Sequence, residues 1–127
     1  MFDNENMPYK ALGGEQPVRA LAEAFYNEMD SGKYPDLRKL HPKSLKESEE
    51  KFFDFLSGWL GGPQNYIEKH GHPRLRMRHA SFQISEVEVA DWLSCMESAL
   101  DKCGIEGEIR LFLENRFAHV AKFMQNN

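Results

Sequence analysis

Apolar residues recur every three or four positions in four segments of this chain, and turn-forming residues separate the segments. Side chains with that spacing share one face of an α-helix, whereas a half-buried strand would alternate every second residue. The sharpest break is Gly61-Gly62-Pro63. We therefore predict an all-α fold. The predicted helices begin near Glu15, Ser44, Ser85 and Glu106, and the first three end at Ser31-Gly32, at Gly61 and before Gly104.

Two of these predicted helices begin at a Ser that is followed three residues later by a Glu. In a capping box, the Ser side chain bonds the backbone of the first turn and the Glu side chain bonds back to the Ser backbone. Ser44 with Glu47, and Ser85 with Glu88, have this spacing. We expect both Ser residues to be the N-caps of their helices.

The length and charge of the chain narrow the function classes. Its 127 residues fit a single domain around one core, so residues 1–127 are predicted to form one domain. A net charge of −4 opposes nucleic-acid binding, whose affinity comes mainly from Lys and Arg on phosphates. No apolar run reaches the roughly 18 residues of a membrane span, and the N-terminus lacks a signal-peptide pattern. We expect a cytoplasmic protein whose partners include neither nucleic acid nor membrane.

The two cysteines are predicted to be free thiols. Cys95 and Cys103 lie eight positions apart on one predicted helix, which separates them by about 12 Å. A disulfide needs Cα atoms within roughly 7 Å of each other. Neither cysteine has the Cys or His spacing of a zinc site.

One stretch, residues 64–84, is too polar and too interrupted by Pro to be another long helix, and we expect the functional site there. Its segment 70–79 carries three His and three Arg and no carboxylate, so it attracts anions. As a strand or as a helix, it places His79 beside apolar side chains. An imidazole in an apolar wall with guanidinium groups outside suits an iron porphyrin, which needs an axial nitrogen and cations for its propionates.

The residues alone leave other interpretations of this segment open. His79 could be a core histidine with a satisfied hydrogen bond. The alternating arginines could form a basic edge strand that binds nucleic acid. Alternatively, the chain could be a haem-free helical interaction module whose basic segment 69–79 contacts an acidic protein partner. His70 and His72 could be a metal pair, although solvated surface suits them better because no carboxylate or Cys lies nearby.

Several motifs, which together extend over nearly the whole chain, resemble those of group 2 truncated haemoglobins. This resemblance implies a two-over-two helical sandwich, a shortened globin with one haem b between helix pairs. The motifs are Phe25-Tyr26, Phe55-Leu56, Trp59-Leu60-Gly61-Gly62-Pro63, Tyr66, Gly71-His72-Pro73-Arg74-Leu75-Arg76-Met77-Arg78-His79, Phe82, Ile84, Trp92-Leu93-Ser94-Cys95-Met96 and Gly104-Ile105-Glu106-Gly107-Glu108-Ile109-Arg110.

The resemblance also implies residue roles. His79 matches the proximal position, which makes it the iron ligand. Trp92 matches the Trp that reaches over the distal haem face, and its indole N–H can only donate a hydrogen bond. Tyr26 matches a distal tyrosine, and His41 matches a position that the family fills with Phe, Tyr or His. With all three, the distal pocket would be unusually polar, which favours tight ligand retention or O–O bond chemistry.

Further haem and ligand contacts follow from the same resemblance. Ser48 and Phe52 match the positions, one helical turn apart, that gate the ligand. Phe52 departs from the Gln of some relatives, which removes one distal donor. The expected propionate contacts are Lys51, Tyr66, Arg76 and Arg78, and Phe52, Phe82 and Trp92 are expected to touch the haem.

The predicted function is reversible binding of oxygen, CO and NO at the haem iron. The alternative is a haem redox enzyme that detoxifies peroxide or nitric oxide at the same site, with an electron-donating reductase as its partner. The sequence contains no recognisable docking patch for a reductase, and it leaves a monomer and a homodimer equally open.

Overall fold

The computed structural model describes residues 8–72, 74 and 84–125. Within those ranges the chain forms helices and turns and no strand, so the predicted all-α class is confirmed. None of the helices described there is both long and apolar enough to cross a membrane. The helices are α1 (Pro8–Leu12), α2 (Glu15–Met29), α3 (Pro35–Lys39), α4 (Lys46–Trp59), α5 (Asn65–His70), α6 (Glu86–Lys102) and α7 (Gly107–Met124).

The four long helices are those that the apolar spacing predicts, and they enclose one core. Helix α2 packs against both α4 and α6, and α6 packs against α7. Each long helix contributes side chains that are almost fully buried, and burying one such side chain stabilises the fold by roughly 1.5–3 kcal/mol. The largest of them are Leu21, Phe25, Met29, Leu56, Leu60, Met96, Leu100 and Leu113.

The two predicted capping boxes have different outcomes. Ser85 is the N-cap of α6, and its backbone N–H donates to Glu88 Oε1 at 2.7 Å, which confirms that box. The prediction for Ser44 is wrong, because the N-cap of α4 is Leu45. The Ser44 hydroxyl instead accepts from the Lys46 backbone N–H at 3.4 Å, a local turn that competes with capping.

Three short helices, α1, α3 and α5, were not expected from the apolar spacing. Helix α1 is attached to the end of α4, because the Tyr9 backbone N–H donates to the Leu60 carbonyl at 2.9 Å. The Tyr9 ring lies directly on Gly62, where an added Cβ would come within 2.4 Å of it. Gly62, which lies just beyond the end of α4, therefore leaves space for this contact.

Two buried carboxylates join helices through ion pairs. Glu28 on α2, which is 2% exposed, contacts Lys33 Nζ at 3.1 Å and Lys102 Nζ at 2.7 Å. Asp54 on α4 contacts Lys69 Nζ on α5 at 2.9 Å. Since the Lys side chains are more than half exposed, these pairs act mainly by satisfying a buried carboxylate and orienting the helices.

Candidate functional site

A cavity of about 510 Å³ lies among the helices α2 to α7 and the segment that follows α3. It collects all of the site residues predicted from the sequence that fall within the described ranges, seven in number. They are Tyr26, His41, Ser48, Lys51, Phe52, Tyr66 and Trp92. A second, more open groove of about 700 Å³ between α1, α2 and the α6–α7 turn contains none of them.

Two hydrogen-bond donors enter this cavity from different helices. Tyr26 of α2 is only 8% exposed, and its hydroxyl bonds to no residue in the described part of the chain. Trp92 of α6 likewise has no described acceptor for its indole N–H. Burial, with smaller effects from Cys95 and Glu49, raises the pKa of Tyr26 well above its usual value. The Tyr26 hydroxyl therefore remains a donor at any physiological pH.

The rings beneath these donors form one aromatic cluster. The Phe25 ring is the centre, with centroids 5.1 Å from Tyr26, 5.1 Å from Phe52 and 5.2 Å from Trp92. The Phe52 ring also packs edge-on against Tyr26 at 5.8 Å and Trp92 at 6.3 Å. Offset and edge contacts of this kind hold the polar tips of Tyr26 and Trp92 in fixed positions at the cavity wall.

His41 lines the cavity on the segment that follows α3. Its Nδ1 lies 3.0 Å from the Leu37 carbonyl, and a carbonyl can only accept, so Nδ1 carries the proton in the neutral ring. Nε2 is then an acceptor and becomes a donor only when the ring is protonated. Arg38 holds this segment in place, because its guanidinium donates to the carbonyls of Pro42 at 2.8 Å and Lys43 at 2.7 Å.

Helix α4 contributes the polar rim of the cavity. Ser48 is half-buried on the cavity wall, and Lys51 is exposed at its edge. Lys51 forms an ion pair with Glu47 at 3.2 Å, one turn earlier on the same helix. Its ammonium group therefore lies near the cavity and remains at the surface. An anionic group at the rim of the cavity would need a cation in this position.

Tyr66 reaches the cavity from α5. Its ring lies 6.4 Å from Phe55 and 4.8 Å from His70, measured between centroids. The Asp54–Lys69 ion pair connects α5 to α4 and so fixes the position of Tyr66. Four of the predicted site residues, His79, Arg76, Arg78 and Phe82, lie outside the described residues.

Sequence reasoning missed a further part of the cavity wall. Helix α7 contributes four residues, and their spacing is that of any apolar helix face, so the sequence pattern does not mark them as cavity lining. The segment 37–42 and the start of α6 supply the rest of this missed lining. The residues concerned are Leu37, Leu40, Pro42, Ile84, Glu88, Val89, Phe117, Val120, Ala121 and Met124.

Comparison with known proteins decides the family. The bacterial-like globin family matches residues 7–126. The chain belongs to this family. Among its relatives, group 2 truncated haemoglobin YjbI of Bacillus subtilis is 44% identical over 126 residues, which are 99% of this chain and 93% of YjbI. The resemblance to group 2 truncated haemoglobins is thereby confirmed.

Solved truncated haemoglobins share the fold of this globin. The group II truncated haemoglobin from Bacillus anthracis is similar with a TM-score of 0.90 and 44% identity, covering 95% of this chain and 92% of that one. The truncated oxygen-avid haemoglobin from Bacillus subtilis also has a TM-score of 0.90 and 44% identity, and covers 95% and 100% of the two chains. The predicted two-over-two architecture is confirmed, with α2 and α4 forming one pair and α6 and α7 the other.

Membership of the globin family implies a haem, and the described residues fit one. The cavity is within the usual size range of cofactor sites and is walled mainly by aromatic and aliphatic side chains, as a porphyrin requires. Tyr26 and Trp92 offer donors that no described residue uses, and Lys51 supplies a cation at the rim. An apolar slot with donors on one wall and a cation at its edge matches the chemistry of this cofactor.

Proposed function

We propose that this globin binds oxygen and other diatomic ligands reversibly at a haem whose iron is ligated by His79. When bound, the haem supplies an iron atom with one coordination position for a small gas. The chain supplies the proximal nitrogen, the slot and the distal hydrogen bonds. The observation that carries the proposal is the convergence of the Tyr26 hydroxyl and the Trp92 indole N–H on one apolar cavity.

The distal residues would retain a polar ligand. Tyr26 donates from a buried hydroxyl that stays protonated, and Trp92 donates from an indole that has no accepting lone pair. Phe52 offers neither donor nor acceptor, so it confines the ligand without bonding it. Two donors in a cavity of low polarity favour slow release, and the Bacillus subtilis relative of this fold is described as oxygen-avid.

The roles at the proximal side rest on the sequence and the family. The Arg78-His79 pair matches the proximal motif of the group, and Arg76, Arg78, Lys51 and Tyr66 are proposed propionate contacts. We propose haem b, which is held without covalent attachment. The spacing of the cysteines supports this choice, because Cys95 and Cys103 do not form the Cys-x-x-Cys-His motif of covalently attached haem.

An absorption spectrum tests this proposal directly. The purified protein is measured in the ferric, dithionite-reduced and CO-bound states, beside the variants His79→Gly and His119→Ala. His119 is an exposed histidine on α7, so its variant controls for the loss of an imidazole elsewhere. We expect a haem Soret band in the wild type and the control, and its loss from His79→Gly unless imidazole is added. A wild type that stays colourless with ample haem would refute the proposal, and a normal spectrum of His79→Gly would refute the assigned ligand.

A further inference from the structure

Tyr66 and His70 form a ring pair that links the cavity to solvent. They lie one turn apart on α5, and their ring centroids are 4.8 Å apart with 52° between the planes. Tyr66 is half-buried and lines the cavity, whereas His70 is exposed. A phenol at the edge of the cofactor slot whose ring contacts an exposed imidazole has a proton acceptor within a few ångströms, so it can lose an electron and a proton together.

We propose that Tyr66 is the residue through which the haem draws single electrons from a small anionic phenol or enediol when the oxidant is a hydroperoxide. This inference rests on the proposed haem site and extends it to a reducing substrate. The surface beside the pair suits an anion, because His70, His72 and Arg74 are exposed there and outnumber the one exposed carboxylate, Glu68, whereas Lys69 is paired with Asp54.

The other oxidisable side chains that line the cavity are less suited than Tyr66 to lose an electron. Oxidised phenols are strong acids, so oxidation needs an acceptor for the proton. Tyr26 also has an imidazole nearby, because the His41 ring lies 6.0 Å away between centroids, but Tyr26 is buried whereas Tyr66 is half-buried, and burial raises the pKa of the Tyr26 hydroxyl. Trp92 is surrounded by Phe25, Phe52 and Phe117, so a positive charge there would be poorly solvated.

Trp59 is disfavoured by a neighbouring charge. It is stacked between Phe55 at 5.9 Å and Phe117 at 5.1 Å, and the Arg116 guanidinium carbon lies 5.3 Å from its ring centroid. A fixed cation at that distance opposes the formation of a second positive charge on the indole. Of the four oxidisable rings that line the cavity, only Tyr66 therefore combines partial exposure with a base in contact.

The electrons and protons balance. Reduction of one hydroperoxide to water and an alcohol, or to two waters for hydrogen peroxide, consumes two electrons and two protons. Each oxidation of Tyr66 passes one electron to the haem, releases the hydroxyl proton through His70 to solvent, and leaves a neutral phenoxyl radical. The reductant then returns one hydrogen atom, as an electron and a proton, to the phenoxyl oxygen. Two such cycles supply the full reduction.

The test locates the radical in the wild-type protein. Ferric, haem-loaded protein is mixed with hydrogen peroxide, freeze-quenched for electron paramagnetic resonance, and in parallel trapped with a nitroso spin trap and mapped by peptide mass spectrometry. We expect a tyrosyl signal and an adduct on the peptide that contains Tyr66. Adducts confined to Tyr26, Trp59 or Trp92 would overturn the proposal, as would haem-loaded protein that forms no radical.

Variants then test the pair. Tyr66→Phe is expected to lower the tyrosyl signal per bound haem at least tenfold, whereas Tyr34→Phe, at a half-buried tyrosine outside the cavity, leaves it unchanged. His70→Gln is expected to slow radical formation several-fold at neutral pH. A full signal in Tyr66→Phe would refute the assignment. Because all signals are expressed per haem, and the CO spectrum is recorded first, a failure to hold haem contradicts the proposed function and is distinguishable from a failure of this inference.

Discussion

Replacing Trp92 with Phe removes one distal donor and keeps most of the packing. The ring contacts of Trp92 with Phe25, Phe52 and Phe117 are ones that a phenyl group can also make. Since no described residue accepts from the indole N–H, its loss leaves no acceptor unpaired within the described part of the chain. The expected effect is therefore the loss of one hydrogen bond to a bound polar ligand.

The size of that effect follows from the net value of one hydrogen bond. A bond of this kind to a partly charged acceptor contributes about 1.5 kcal/mol, and 1.4 kcal/mol corresponds to roughly a tenfold change in rate. We expect oxygen to dissociate about ten times faster from Trp92→Phe, and a similar acceleration for Tyr26→Phe. The double variant should fall short of the product of the two effects if both donors bond the same ligand, since they are then coupled.

Stopped-flow replacement of oxygen by CO measures the dissociation rate, and flash photolysis of the CO complex provides the control. CO carries little charge and accepts hydrogen bonds weakly, so the rate at which it rebinds after photolysis should change less than the rate at which oxygen dissociates. An oxygen dissociation rate within roughly twofold of the wild type, which corresponds to less than one weak hydrogen bond, would remove Trp92 from the mechanism. If CO entry and oxygen release accelerate equally, the smaller Phe side chain has opened a path for gas ligands, and the effect does not come from a lost hydrogen bond.

The Cys95 thiol donates to the Phe25 carbonyl at 3.2 Å, and burial raises its pKa to about 12, so we expect it to resist alkylation in the folded protein. In urea unfolding, Cys95→Ala should lower the free energy of unfolding by about 1 kcal/mol, and Cys95→Ser should recover part of that loss. Hydrogen bonds from two Lys ammonium groups hold the pKa of Glu28 below its usual 4.5, so the stability that ionised Glu28 contributes is complete above pH 4.5 and is lost as the pH falls. Glu28→Gln should lower the free energy of unfolding by about 1 kcal/mol at pH 7, and in acid the variant and the wild type should become equally stable.

Local signals account for the parts of the fold that were predicted correctly. The start of α6 follows from Ser85 and Glu88, because a capping box is satisfied by residues within one turn. The same spacing misled at Ser44, where the hydroxyl bonds the Lys46 backbone in a turn and α4 begins one residue later than predicted. Short helices such as α3 and α5 escaped prediction, since five or six residues hold too little periodicity to distinguish them from loops.

The site was predicted through a family resemblance more than through residue chemistry. Tyr26 and Trp92 by themselves are indistinguishable from core aromatics, because both lie on the apolar faces of their helices. The contribution of α7 to the cavity was missed for the same reason, since Phe117 and Val120 have the spacing of an ordinary core stripe. A side chain that lines a cofactor slot and one that fills a core obey the same periodicity.

The amino-acid sequence by itself determined the class of the fold, the long helices with most of their ends, and the free state of Cys95 and Cys103. These depend on interactions within a few turns of chain, which spacing and turn residues encode directly. Only the tertiary structure decided that Tyr26 and Trp92 face one cavity, and that Phe25 supports both. That arrangement depends on which helix faces meet in the packed molecule, and the packing is set by shape and burial across the whole chain.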